Sequence, residues 1–460
     1  MHKEEMTMHR LKTLGGALAL ALLVPAAVLA QPSTGSANFT RYYAIGDSLT
    51  AGFISGSLVV SGQRTSYPAL LHRQATGLTT GFEQPLVADP GIPGVLELRS
   101  LSPLTVAPKD GQGNPTNLTL PRPYNNLAVP GARLRDTLVT FSGGLHDLVL
   151  RPTGFGRTTA LQQAVASNPT FVTIWIGNND VLAAATSGVV IEGVTITPAA
   201  QFEADFRSLA ATIASTNAKM AIATIPDVTT IAYVNTLTRF VPNPATGAPV
   251  LINGQPVPLI GPNGPLGPSD RVLLSASAEL ARGNGIPAAL GGSGKPLPDT
   301  AFLTGDELAT ISSRVNAYNN IIRTVAGERG AALADTNALL TRAAQGKVGV
   351  GGMTFSPAYL TGGIFSYDGV HPTSIGYAFV ANTFIDAINE KFGADIPPVN
   401  LTPFLFGSAA KTADDVLAGS ETPAFVFTDE AKLSLFQALR IDPNPKRPGK
   451  GGKGGKGGRK

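Results

Sequence analysis

Residues 171–176, Phe-Val-Thr-Ile-Trp-Ile, form a continuous, largely apolar and β-branched run. A strand with one face in water alternates apolar and polar side chains. A run without that alternation belongs to a strand covered on both faces, as in parallel sheets flanked by helices. The chain holds companions of the same kind. Residues 39–45 are β-rich and end at Gly46, and 126–129 form a brief apolar run before Pro130-Gly131. Residues 221–225 stop at Pro226, and 331–334 are strand-like. Segments with helical character lie between and after them, at 65–74, 201–218, 308–326 and 374–392. In the second of these, Phe202, Phe206, Leu209 and Ile213 recur at helical spacing. About five strands separated by helices predict an α/β fold with a parallel sheet.

Length and composition allow one large domain or two, with long loops. Of 460 residues, 43% are hydrophobic, enough for a sizeable core, and 14% are charged. Pro/Gly-rich stretches at 80–123 and 240–300 read as insertions into a domain spanning 37–395. Residues 396–445 keep apolar stretches and are expected to pack on the body as a C-terminal extension. No cysteine is present, which removes disulfides, thiol nucleophiles and Cys-ligated metals. The net charge of +4 is misleading, because residues 446–460 carry seven basic groups and no acid. Residues 31–445 hold 25 basic and 29 acidic groups, so the body is mildly acidic and not a nucleic-acid binder. The Gly/Lys tail is expected to be disordered and attracted to anionic surfaces. At the other end, basic residues at 9–12, an apolar run at 14–23 and Val28-Leu29-Ala30 predict a secretory signal peptide over 1–30. Secreted or periplasmic placement follows from it.

Histidine limits the chemistry. His2 and His9 fall in the expected signal peptide, which leaves His72, His146 and His371. His72 lies in a helix-like stretch and reads as structural, and His146 has only an adjacent Asp147. His371 closes Tyr367-Asp368-Gly369-Val370-His371-Pro372. There Asp368 stands three residues back on a tight turn, where a carboxylate can orient an imidazole. With so few histidines and no cysteine, no cluster of transition-metal ligands is expected, and no cofactor is called for. The partner nucleophile is Ser48. It follows the first strand in Gly46-Asp47-Ser48-Leu49-Thr50-Ala51-Gly52, at the strand end where parallel sheets place their ligands. A Gly-x-Ser-x-Gly elbow is absent, which argues against the α/β-hydrolase arrangement.

These blocks resemble the GDSL (SGNH) hydrolases. GDSLTAG at 46–52 and DGVHP at 368–372 look like the family's first and last blocks. Residues 126–132 (NLAVPGA) look like the second, and Gly177-Asn178-Asn179-Asp180 matches the Gly-x-Asn-Asp third. The resemblance implies Ser48 as nucleophile, His371 as general base and then acid, and Asp368 as its orienter. It also implies an oxyanion hole from the Ser48 N–H, the Gly131 N–H and the Asn179 side chain. Asp47 and Asp180 are expected to brace neighbouring loop amides. The implied fold is a flavodoxin-like three-layer α/β/α sandwich. The implied reaction is hydrolysis of a carboxylic ester through an acyl-enzyme. A small-molecule or lipid-like ester is the expected substrate, because the insertions carry apolar patches (Leu96, Leu98, Leu101, Leu104; 250–252; 257–260) and are expected to shape its groove. The alternatives are a polysaccharide O-deacetylase of the same family and a non-catalytic envelope-binding module on the same scaffold. Trp175 is expected in the core rather than as a sugar-stacking platform.

Overall fold

A computed structural model of the protein describes residues 32–101, 104–120, 123–150, 156–244, 246–406 and 425–446. The expected signal peptide lies outside the described residues, as does the basic tail beyond Lys446. No helix among the described residues is long and apolar enough to cross a membrane.

The strands that carry the site and its cover are β1 (Tyr42–Gly46), β2 (Leu96–Leu101), β3 (Leu104–Pro108), β4 (Phe171–Trp175), β5 (Lys219–Ala223), β6 (Ala332–Ala334) and β7 (Phe425–Phe427). The helices that matter are α1 (Ser48–Ala51), α2 (Tyr67–Thr76), α3 (Asn179–Ser187), α4 (Ala199–Ala214), α5 (Gly305–Glu328), α6 (Thr336–Ala344), α7 (Ser374–Phe392) and α8 (Asp429–Leu439).

The central sheet runs β1-β4-β5-β6, all parallel. Residues 125–129 flank its β1 edge. Ala44 N–H donates to the Asn125 carbonyl (2.9 Å), and Leu127 and Val129 donate back to Ala44 (2.9 Å) and Gly46 (3.1 Å). The five expected strands are therefore four ladder strands and this edge segment. Their spatial order, second-first-third-fourth-fifth along the chain, is the flavodoxin-like one.

The lack of alternation in 171–176 has the expected cause. Phe171 and Trp175 pack with Tyr42, Ala221 and Ala223 beneath α2 and α7. Val172 and Ile174 pack with Ile45, Met220 and Ile222 beneath α4 and α5. Both sheet faces are buried, which gives three layers. The one polar residue between them, Thr173, meets the hydroxyls of Tyr42 (2.9 Å) and Tyr67 (3.3 Å), so burial leaves it paired.

The first insertion is more ordered than its composition suggested. β2 and β3 form an antiparallel hairpin, and β7 adds to β3 in parallel. Residues 425–439 thus dock on the hairpin and the main core. They do so as a third strand followed by α8, whose Ala431, Leu435, Phe436 and Leu439 enter the main core. The second insertion holds short hairpins at 251–256 and 260–265 and buries a small core of its own around Leu259, Val272, Leu297 and Phe302.

Candidate active site

The end of β1 sets the first group. Gly46 has no room for a side chain, since a Cβ there would lie 2.1 Å from Thr50 Oγ1 and 2.5 Å from the Trp175 carbonyl oxygen. The chain then turns at Asp47, which caps the four-residue α1 by accepting from Leu49 N–H (3.0 Å). Ser48 is the first helical residue. Its N–H is one of the donors a helix start leaves unsatisfied, and it has no protein partner among the described residues.

The second group lies on the turn before α7. Asp368 Oδ1 accepts from the N–H groups of Val370 (2.9 Å) and His371 (2.8 Å). Oδ2 accepts from Gly56 N–H (2.6 Å) and meets His371 Nδ1 at 2.8 Å. His371 Nε2 lies 2.8 Å from Ser48 Oγ. Burial by itself would raise the Asp368 pKa. The adjacent His371 and the donated hydrogen bonds outweigh it and hold the carboxyl below its ordinary value. Asp368 is therefore an acceptor only, so His371 Nδ1 carries the proton and Nε2 is free to accept from the serine hydroxyl. The ring of Phe53, 4.8 Å from the imidazole between centroids, closes one side. Sequence reasoning missed Gly56 and Phe53, because their roles arise only when 53–56 fold against 366–371.

The third group joins the intermediate blocks to the first. Asn178 Nδ2 donates to Asp47 Oδ2 (2.8 Å), and Asn179 Nδ2 donates to the Ala132 carbonyl (2.9 Å). Ser48 is thus linked through Asp47, Asn178, Asn179 and Ala132 to Gly131. An amide carries two donor hydrogens, so one on Ala132 fixes the Asn179 side chain and leaves a second. The Gly131 N–H also has no protein partner among the described residues. Asp180 accepts from Leu134 N–H (2.8 Å) and Thr197 Oγ1 (2.7 Å) and so braces the loop after Gly131. Both Asp47 and Asp180 thus hold neighbouring loops as expected. Burial raises each to a pKa of about 6.

His72 and His146 stand apart. His72 packs against Phe82, and His146 is buried with Nδ1 3.5 Å from Arg440 Nη1.

Ser48 and His371 open on a cavity whose other walls are mostly apolar. Trp175, Leu182, Val228, Leu339, Phe365 and Phe379 are among them. Here the structure corrects an expectation, because neither insertion lines this cavity. Leu96 and Leu104 are buried, Leu96 in the main core, while Leu251 and Ile252 are exposed on a distant hairpin. The apolar residues of the first insertion serve packing. Trp175 packs in the core as expected while also bordering this cavity, with Nε1 donating to the Thr224 carbonyl (3.1 Å).

The profile of the GDSL-like Lipase/Acylhydrolase family matches residues 42–384, and the chain belongs to that family. No significant match was found among curated protein sequences. Several solved structures are similar. A catalytic mutant of an acetylxylan esterase from Geobacillus stearothermophilus is 14% identical, with a TM-score of 0.36, covering 75% of this chain and 93% of that one. An α/β hydrolase from the metagenome of Lake Arreo, Spain, is 15% identical (TM-score 0.36; 77% and 96% covered). The acetyl xylan esterase AlAXEase is 15% identical (TM-score 0.32; 75% and 98% covered).

Proposed function

We propose that the chain is an exported serine esterase that hydrolyses acyl esters through a covalent acyl-enzyme. One observation carries the reading: Ser48 Oγ, His371 and Asp368 form a buried chain with two contacts of 2.8 Å. Ser48 Oγ attacks the ester carbonyl carbon as its proton passes to His371 Nε2, and Asp368 stabilises the resulting imidazolium. The oxyanion is received by the Ser48 and Gly131 N–H groups and by the second hydrogen of the Asn179 amide. His371 then protonates the departing alcohol. Water, deprotonated by the same nitrogen, releases the acid.

The apolar cavity beside Ser48 favours an aliphatic acyl chain over an acetylated sugar. Export rests on the segment 1–30, and attraction of the tail to anionic surfaces rests on its basic residues. The test is labelling by a fluorophosphonate, followed by turnover of p-nitrophenyl esters from acetate to palmitate. Expected are a single labelled serine, Ser48, and a kcat/KM maximum at a chain longer than acetate. Labelling of another serine, with Ser48→Ala still active, overturns the mechanism. A maximum at acetate overturns the substrate class.

A further inference from the structure

Gly131 and Asn179 face a second cavity, which is polar and shared with Arg133, Asp136, Leu439 and Arg440. Leu439 and Arg440 lie beyond residue 384, where the family match ends. The two arginines give this cavity its character. Arg133 donates Nη2 to the Val194 carbonyl (2.6 Å), and Arg440 reaches His146 Nδ1, a neutral acceptor because burial lowers that histidine's pKa. Neither arginine forms an ion pair among the described residues. The wall also holds one carboxylate, whose charge offsets part of theirs and whose oxygens are fixed by neutral donors. Asp136 Oδ2 accepts from Arg133 N–H (2.9 Å) and Oδ1 from Thr140 Oγ1 (2.5 Å). Asp180, which is not among the lining residues, also feels the field of Arg133, and its oxygens accept from Leu134 N–H and Thr197 Oγ1.

A second observation concerns the backbone. Arg440 ends α8 in the left-handed conformation (φ 56°), a position where glycine is preferred because any Cβ is strained. Arg440 is one of the residues that line the cavity faced by Gly131 and Asn179.

We propose that this cavity is a subsite for an anionic group on the alcohol half of the ester, a carboxylate or phosphate, with Arg440 and Arg133 as its cations. The inference rests on the esterase reading above. The apolar cavity holding Ser48 and His371 takes the acyl chain, and the alcohol half extends past Gly131 and Asn179 toward the guanidinium groups. Two arginine forks match a planar or tetrahedral oxyanion better than any neutral alcohol. The preferred substrate is thus an amphiphile with an aliphatic acyl chain and a negatively charged alcohol.

The test compares 4-nitro-3-(octanoyloxy)benzoate with 2-nitrophenyl octanoate, which differ by one carboxylate on the alcohol. In the full-length protein, Arg440→Gly should lower the ratio of kcat/KM for the charged over the neutral ester about tenfold, the loss of one charge-assisted contact. Arg440→Lys should restore part of it. Because glycine suits the left-handed position, Arg440→Gly should melt at or above the wild-type temperature, which separates lost recognition from lost folding. Binding of 3-hydroxy-4-nitrobenzoate to Ser48→Ala protein, weakened by added Arg440→Gly, is the readout that needs no turnover. An unchanged ester ratio together with unchanged binding overturns the subsite. Two inert esters with intact Arg440-dependent binding would overturn the esterase reading and leave the subsite standing.

Discussion

Asn178 donates its side-chain amide to the carboxylate of Asp47 at 2.8 Å, with both residues buried. The contact joins the residue before the expected oxyanion amide to the residue before the expected nucleophile. The distance between Ser48 and Asn179 is therefore set by one hydrogen bond between their chain neighbours, and each neighbour is fixed by its own strand end. Asn178→Ala should remove that tie while leaving Ser48, His371 and Asp368 in place. A fall in kcat of about tenfold or more, with labelling of Ser48 retained, is expected for a misplacement of this size. An unchanged kcat would show that the tie is dispensable.

Ser48→Ala should abolish fluorophosphonate labelling and lower ester turnover by several orders of magnitude, as loss of a nucleophile does in other triads. Thermal melting should stay close to wild type, since among the described residues the hydroxyl's one hydrogen bond is with His371.

Asn179→Ala should lower kcat by about 10²–10³ with little change in KM, because the donor acts on charge that develops only in the transition state. Steady-state kinetics on one soluble ester separates the two parameters. An effect confined to KM would make Asn179 a substrate-binding residue only.

Asp180 supplies a pH test. Burial raises its pKa from 3.8 to about 6, so the folded protein holds this proton more tightly than the unfolded chain. Stability from this group is complete below pH 4 and is lost as pH rises to about 6. Asp368 acts in the opposite sense and in another window, since its lowered pKa removes stability only as pH falls below the ordinary carboxylate range. Asp180→Asn loses a titrating group but keeps one acceptor. Relative to wild type, the variant should gain up to about 3 kcal/mol on going from pH 4 to pH 7 in urea unfolding. A wild-type-like pH slope would place the Asp180 pKa near its unfolded value.

The two ends of the C-terminal region should behave oppositely. Leu435 is fully buried in the main core, so Leu435→Ala should cost about 2–5 kcal/mol in urea unfolding. Removing residues 447–460 should change neither stability nor kcat on a soluble ester, and should weaken sedimentation with anionic vesicles at low salt. Equal sedimentation of both forms would remove any role for the tail at surfaces.

Much of the platform was legible because its signals are local. The run at 171–176 showed its two-sided burial directly, and the first three motifs of the candidate site stand at the ends of apolar runs. The turn from Asp368 to His371 spans three residues, so its geometry could be read from spacing. The hairpin β2–β3 leaves only a faint trace in the sequence, Leu96 and Leu98 alternating with Glu97 and Arg99 beneath a surplus of Pro and Gly. The cavity wall left none. Leu339 on α6 and Phe379 on α7 face Ser48 only because the sheet brings distant helices together. The docking of β7 on β3 was equally hidden, since a three-residue strand has no partner signature of its own.

That pairing sets an order of events. Phe427 lies opposite Val106, about 320 positions earlier, and the main chain of Leu439 occupies the space a side chain on Gly131 would need. The wall beside Gly131 is therefore finished by residues that lie more than 300 positions after Gly131 in the chain. A growing chain can assemble its sheet and bring Ser48, Asp368 and His371 together while this wall is still missing. If the chain is exported as proposed, the half-built site remains open until residues 425–440 have crossed. Completion of the pocket is then tied to delivery of a segment that follows every motif of the site.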